Sequence, residues 1–148
     1  MIAVRELAPR DREAWQKLYA GYGDFYQTPL GADKADRVWA WLMDSGYEAF
    51  GLVAVDEDDR PIALGHYRQF ARLLGDGIGI YLDDLFTASE SRGTGAASAI
   101  IARLEAIARD RGASLVRWIT AADNLVGQKL YDQLATHTTW ITYDLKVD

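Results

Sequence analysis

Apolar residues along this chain change their period several times, and each change marks the passage from one element to the next. Ile2 and Val4 alternate with other residues toward Leu7, the period of a half-buried strand, and Pro9 then opens a turn with Asp11 placed to cap a helix. Trp15, Leu18, Tyr19 and Tyr22 recur at helical spacing until Gly21 and Gly23 break the pattern and lead into the stretch 24–29. A second helix is expected behind Asp33 as cap, with Val38, Trp41 and Leu42 as its apolar stripe.

Phe50 to Val55 reads as a strand, Asp56 to Arg60 as its polar turn and Pro61 to Phe70 as the returning strand. Another turn is expected from Gly75 to Gly79. Strict alternation then sends Ile80, Leu82 and Asp84 to one face and Tyr81, Asp83 and Leu85 to the other, so two acids interrupt a strand. Ala97, Ile100, Ile101, Leu104, Ile107 and Ala108 form the longest helical pattern, closed by Gly112 at a natural C′ position. Ser114 to Thr120 is apolar enough for a buried central strand. Asn124 is placed to cap a short helix carrying Leu125, Leu130, Tyr131 and Leu134, and the threonine- and aromatic-rich stretch from Thr138 to Val147 reads as a closing strand. The predicted order is β-α-α-β-β-β-α-β-α-β: an α/β (α+β) mixed sheet with helices on both faces, in a single domain spanning 1–148.

Composition narrows the function classes. With 148 residues, of which 49% are hydrophobic and 26% charged, one packed core is expected. A net charge of -6 argues against broad attraction to nucleic acid or an anionic membrane surface and favours a cationic partner. The absence of cysteine excludes a disulfide framework, a thiol nucleophile and cysteine-ligated metals. His66 and His137 are the only imidazoles, so a histidine-based zinc site would need carboxylates in support, and no metal is expected. The opening MIAVREL has no apolar signal core, and a cytoplasmic location is the expectation.

Chemistry concentrates at Arg92-Gly-Thr-Gly95-Ala-Ala97-Ser98, between the acidic strand and the long helix. Small residues let backbone N–H groups at a helix start converge on an anion, the helix dipole favours negative charge there, and Arg92 adds a charged donor. A pyrophosphate suits this loop. Gly93 and Gly95 have the spacing of a dinucleotide fingerprint, but Ser98 stands where its third glycine or alanine belongs, and a nucleotide P-loop would need a lysine that neither glycine precedes.

In this loop and in the order of elements around it, the sequence resembles the GNAT superfamily of N-acetyltransferases. Arg92, Gly95 and Ala97 stand in register with that family's Arg/Gln-x-x-Gly-x-Gly/Ala signature for coenzyme A. The segment from Tyr81 to Thr87 is similar to the fourth strand of its polyamine-acetylating and related amine-acetylating branches, with Thr87 replacing a usual apolar β-branched residue. Trp118-Ile-Thr, Asn124 and the run Lys129 to Asp132 are similar to the fifth strand and fourth helix.

The resemblance implies that the fourth and fifth strands splay and that acetyl-CoA lies in the gap. Its pantetheine arm would pair with backbone at Leu85, Phe86 and Thr87. Its pyrophosphate would sit on Arg92 and the backbone of Gly93, Thr94, Gly95, Ala96, Ala97 and Ser98. Asn124 would either bond the pantetheine or simply cap its helix, and Lys129 would either reach a coenzyme phosphate or remain surface charge. An amine of lysine-like pKa costs about 4–5 kcal/mol to deprotonate at neutral pH, so a base is required. Asp83 matches the general base of polyamine-acetylating relatives and Tyr131 the donor to the departing sulfur. Tyr81, Asp84, Asp24 and Tyr26 would face the acceptor, and His66 is read as structural. The leading expectation is acetyl transfer to a small cationic amine by direct attack in a ternary complex, in a homodimer. The alternatives are a protein-lysine acetyltransferase and a non-catalytic acyl-CoA sensor.

Overall fold

A computed structural model of the chain describes residues 2–148. Strand β1 (Ala3–Glu6) is followed by helices α1 (Arg12–Phe25) and α2 (Ala32–Met43). Three long strands come next: β2 (Phe50–Val55), β3 (Pro61–Arg72) and β4 (Gly77–Thr87). Helix α3 (Ala96–Arg111), the short strand β5 (Val116–Arg117) and helix α4 (Leu125–Leu134) follow, and short 3-10 turns at Pro9–Asp11 and Ser89–Ser91 lead into α1 and the loop before α3. The five strands lie in the order β1-β2-β3-β4-β5, antiparallel up to β4, with β5 parallel to it. This is the mixed α/β sheet expected from the sequence, with helices on both faces.

The two faces bury separate clusters. Against one, α3 packs Ile100, Ile101 and Leu104 onto Leu52, Ala54, Ala63, Tyr67, Ile80 and Leu82. Against the other, α1 and α2 pack Trp15, Leu18, Tyr19 and Ala35 onto Leu64, with Phe86 at the margin. β2 is covered on both sides, which explains its unbroken apolar run from Leu52 to Val55. Helix α3 stops at Gly112, whose φ of 73° is a left-handed conformation that glycine adopts without a Cβ penalty.

Several boundaries differ from the sequence expectation. Gly21 and Gly23 lie inside α1 and do not end it. A Cβ at Gly21 would stand 2.8 Å from the Phe86 ring, so this glycine lets α1 approach β4 closely. Asp11 precedes α1 but makes no side-chain cap. Its carboxylate accepts both Arg5 terminal nitrogens at 2.8 and 2.9 Å and the Ala8 N–H at 2.8 Å. Gly31 takes the cap position of α2, leaving Asp33 in the first turn.

The expected strand 114–120 is regular only at Val116 and Arg117, because β5 leaves β4 after the pairs Ile80–Val116 and Tyr81–Arg117. β4 runs on to Thr87 without a partner on that side, which is the splay expected of these strands. The expected closing strand from Thr138 to Val147 does not form. Its residues are all exposed, since a strand needs a neighbouring backbone and this stretch meets none among the described residues. Among the described residues no helix is long and apolar enough to cross a membrane.

Candidate active site

A break in the period of β4 builds the site. β3 and β4 pair His66 with Asp84 but Tyr67 with Leu82, so Asp83 is an extra residue bulged out of the ladder. The bulge reverses the alternation expected beyond it. Ile80 and Leu82 face α3, yet Asp84 and Phe86 face α1, while Leu85 joins the α3 side. Tyr81 and Leu85 therefore do not share a face, contrary to strict alternation.

Asp84 enters a chain of buried polar contacts. Its carboxylate lies 2.8 Å from His66 Nδ1, and the Trp15 indole N–H donates to His66 Nε2 at 2.9 Å. An indole nitrogen can only donate, so His66 Nε2 must present its lone pair and the ring proton must sit on Nδ1, which donates to Asp84. Trp15 is fully buried and His66 nearly so. The Tyr22 hydroxyl donates to the same carboxylate. Burial by itself would raise the Asp84 carboxyl; the hydrogen bonds from His66 and Tyr22 and the charge of Lys34 outweigh it and hold the group below the usual aspartate value. The same burial, next to this anion, pushes the Tyr19 and Tyr22 phenols up.

The neighbouring carboxylate is tuned the opposite way. Asp83 accepts from Arg68 Nε at 3.1 and 3.2 Å, but desolvation, with Asp84 beside it, carries its carboxyl above the usual value. Both acids line one cavity of about 470 Å³, together with Tyr19, Tyr22 and Tyr26 from α1 and its end, Lys34 from α2, and Ile119 and Thr120 beyond β5. That volume suits a small molecule.

The glycine loop stands at the start of α3. Gly93 and Gly95 have φ of 77° and 89°, and a Cβ at either would meet open space. The first intrahelical bond runs from Ala99 N–H to the Gly95 carbonyl, and no side chain caps the end. The N–H groups of Ala96, Ala97 and Ser98 are thus left for an anion, and the cradle fits a pyrophosphate. Thr94 braces the turn by donating to the Ser91 carbonyl at 2.6 Å. The Arg92 guanidinium lies over the Phe25 and Phe86 rings, and the backbone of Leu85, Phe86 and Thr87 borders the gap left by β5.

On the far side of the gap Asn124 caps α4, accepting from Gly127 N–H at 3.2 Å and donating to Thr120 at 2.9 Å. Tyr131 packs edge-on against Trp118, and burial, reinforced by Tyr26, raises its phenol. Lys129 is exposed on the same helix.

Two residues expected at the acceptor do not join this cavity. Asp24 lines a second cleft with Phe25, Glu90 and Arg92, and Tyr81 lies under Arg68, whose guanidinium carbon stands 4.6 Å from its ring centre. Conversely, Trp15, Tyr19, Tyr22, His66 and Lys34 belong to the site without having been singled out for it. A histidine inside an apolar strand is the one signal the sequence offered.

Comparison with known proteins bears on the same residues. The model of the acetyltransferase (GNAT) family matches residues 15–135, from the buried indole to the end of α4. The chain is 28% identical to the D-amino-acid N-acetyltransferase HPA3 of Saccharomyces cerevisiae over 143 residues, 96% of this chain and 89% of that one. The fold is similar to that of a ribosomal-protein-alanine N-acetyltransferase from Brucella melitensis biovar Abortus 2308, with a TM-score of 0.84 at 22% identity over 99% of this chain and 100% of the other. It is also similar to the AAC(6')-Iy structure solved with a CoA-linked bisubstrate analogue, with a TM-score of 0.83 at 14% identity over 100% and 99% of the two chains.

Proposed function

Starting from the fact that this chain belongs to the acetyltransferase (GNAT) family and is therefore an acetyl-CoA-dependent N-acetyltransferase, we propose that its acceptor is a small primary amine bearing a further positive charge. The observation that carries this reading is the cavity of about 470 Å³ into which two adjacent carboxylates with opposite tuning project. Asp84, held anionic by His66 and Tyr22, retains a cationic group. Asp83, whose carboxyl is raised, takes the proton from the attacking amine, either directly or through a water. Neighbouring titratable groups whose environments drive them apart divide the roles of anchor and base in this way.

Acetyl-CoA supplies the activated acyl group, its pyrophosphate on the N–H groups from Gly93 to Ser98 with Arg92, and its pantetheine along Leu85, Phe86 and Thr87. Pairing of two amides with an open strand edge fixes the thioester without a dedicated side chain. An N–H near Leu85 is placed to stabilise negative charge on the acetyl oxygen. Tyr131, kept protonated by burial, donates its proton to the departing sulfur.

Lys34 in the same cavity supports a second reading, an amino acid whose carboxylate meets Lys34 while its ammonium meets Asp84. The D-amino-acid relative points the same way. An acceptor panel with acetyl-CoA, followed by thiol release, separates the two. A polyamine or basic amino acid should exceed a neutral amine of equal size by about ten- to a hundredfold in kcat/KM, from one desolvated charge-assisted hydrogen bond. Neutral D- or L-amino acids leading the panel would favour the second reading, and neutral alkylamines leading it would overturn both.

A further inference from the structure

Trp15, Tyr19 and Tyr22 recur at positions i, i+4 and i+7, so one stripe of α1 lies over His66 and Asp84. Each makes a different contact there. Tyr19 sets its ring edge-on to the imidazole with centres 5.4 Å apart, Tyr22 donates its hydroxyl to Asp84, and Trp15 donates its indole N–H to His66 Nε2 at 2.9 Å.

The bonds from Trp15 to His66 and from His66 to Asp84 run in one direction. An indole only donates and an ionised carboxylate only accepts, so the imidazole between them accepts at Nε2 and donates at Nδ1. The chain ends at Trp15, which is fully buried and whose N–H has this single partner among the described residues. A proton has no onward path into the core from there. The indole also closes the one atom on which the ring could take a second proton. An imidazolium would set two N–H donors against each other and leave the buried indole N–H unpaired.

The other polar groups around the ring are Tyr19 and Tyr22 from α1, Asp83 and Asp84 from β4, and Lys34 of α2, whose charge acts on Asp84. Arg12 lies over the Trp15 ring and is paired with Asp36. With His66 neutral, Asp84 turns a whole negative charge toward the cavity. An imidazolium 2.8 Å away would cancel most of it.

We propose that Trp15 is a positioning residue for the acceptor: by occupying His66 Nε2 it keeps the imidazole neutral, so that Asp84 meets the acceptor's ammonium as an uncompensated anion. This rests on the reading of Asp84 as the acceptor's anchor. Trp15 does not line the cavity, so it acts through His66.

The lock is tested without substrate. Nitrogen NMR of the labelled full chain has two imidazoles to resolve, His66 and His137, and exposed His137 serves as internal reference. In the parent, His66 should show the Nδ1–H tautomer alone and keep it as pH is lowered across the range in which His137 takes up its second proton. Trp15→Phe retains a ring against Tyr19 and removes the donor, and its His66 should take up a second proton over that range. A second proton on the parent's His66, or a folded variant whose His66 stays singly protonated, overturns the lock. The parent spectrum needs no substitution, so that arm is decisive even where the variant fails to fold.

The effect on the acceptor is read from the KM of a diamine, variant over parent, at each pH. That ratio should rise by about ten- to a hundredfold as pH falls, the worth of one desolvated charge-assisted hydrogen bond, while the ratio for a monoamine of equal size stays flat. Adding His66→Gln to Trp15→Phe keeps a donor for Asp84 on a side chain that takes no proton, and should abolish the rise. A rise that survives the glutamine overturns the proposal. A flat diamine ratio while NMR records the second proton overturns the anchor reading of Asp84 and leaves the lock standing, so the two failures are distinguishable.

Discussion

Asp83 and Asp84 are adjacent in sequence, yet their carboxyls are displaced in opposite directions, and pH profiles can tell them apart. Asp83 is raised by burial, so it is protonated and unable to accept a proton at pH values where an ordinary aspartate is already ionised. Activity should rise with pH as Asp83 and the acceptor ammonium each lose a proton, and Asp83→Asn should flatten that rise while lowering kcat. Asp84, depressed by His66 and Tyr22, stays charged throughout the range. Asp84→Asn keeps an acceptor for the His66 Nδ1–H but removes the charge, and should raise KM for cationic acceptors by about ten- to a hundredfold with a smaller effect on kcat. Tyr131→Phe keeps the ring beside Trp118 and deletes the hydroxyl proposed to protonate the sulfur; turnover should fall by about ten- to a thousandfold while coenzyme affinity, measured by calorimetry, holds. The positions of the acids and Tyr131 came from the resemblance, which supplied their register, and the structure brings Asp83 and Asp84 to one cavity. The Trp15–His66 bond was not legible in the sequence: the partners are 51 residues apart and meet only when α1 lies on β3.

At the scale of elements, the glycine loop and α3 were readable because their signals are local. A left-handed residue before a helix, a small-residue first turn and a C′ glycine all write themselves into the nearest few positions. Gly95→Glu would force a side chain onto a backbone with φ of 89° and place a negative charge at the open start of α3. Coenzyme affinity should fall at least tenfold in a variant whose melting shows it folded, with the acceptor site untouched; isothermal titration checks this. Gly21 and Gly23 misled for a related reason. Glycine weakens a helix on average, but here its absent Cβ is what lets α1 lie against Phe86 and Leu30, a close approach that propensity cannot foresee. β5 and the arm from Thr138 to Val147 mark the other limit. Both have strand composition, but a strand exists only where another backbone completes it, and sequence states the propensity without naming the partner.

For the molecule as a whole, the order of elements was legible from period alone, whereas the contacts that tie distant segments were not. Arg5 of β1 joins Asp11 before α1 to Asp59 in the β2–β3 turn, closing one end of the sheet. Asp11 is nearly fully buried; its burial is outweighed by Arg5 and the Ala8 N–H, so its carboxyl lies below the usual value. A depressed carboxyl binds its proton more weakly in the folded chain than in the unfolded one. Its stabilisation is therefore complete above the ordinary aspartate pKa and is lost as pH falls through the folded value. Asp11→Asn should cost about 1–3 kcal/mol at neutral pH and flatten the acid limb of stability, both measured by urea unfolding.

The bulge at Asp83 acts on β4 as a frameshift acts on a message: residues before it are read in one phase and residues after it in the other. One strand thereby serves two masters, giving Ile80 and Leu82 to the core under α3 and Asp84 to the cavity under α1. Because phase depends on the count of residues rather than their identity, the side chain at position 83 is free to change with the chemistry while the core stays in register. Deleting that one residue would close the ladder instead, making Leu82 and Asp84 neighbours that still alternate, so that Asp84 stays under α1 and Leu85 under α3 and only the bulged carboxylate is lost.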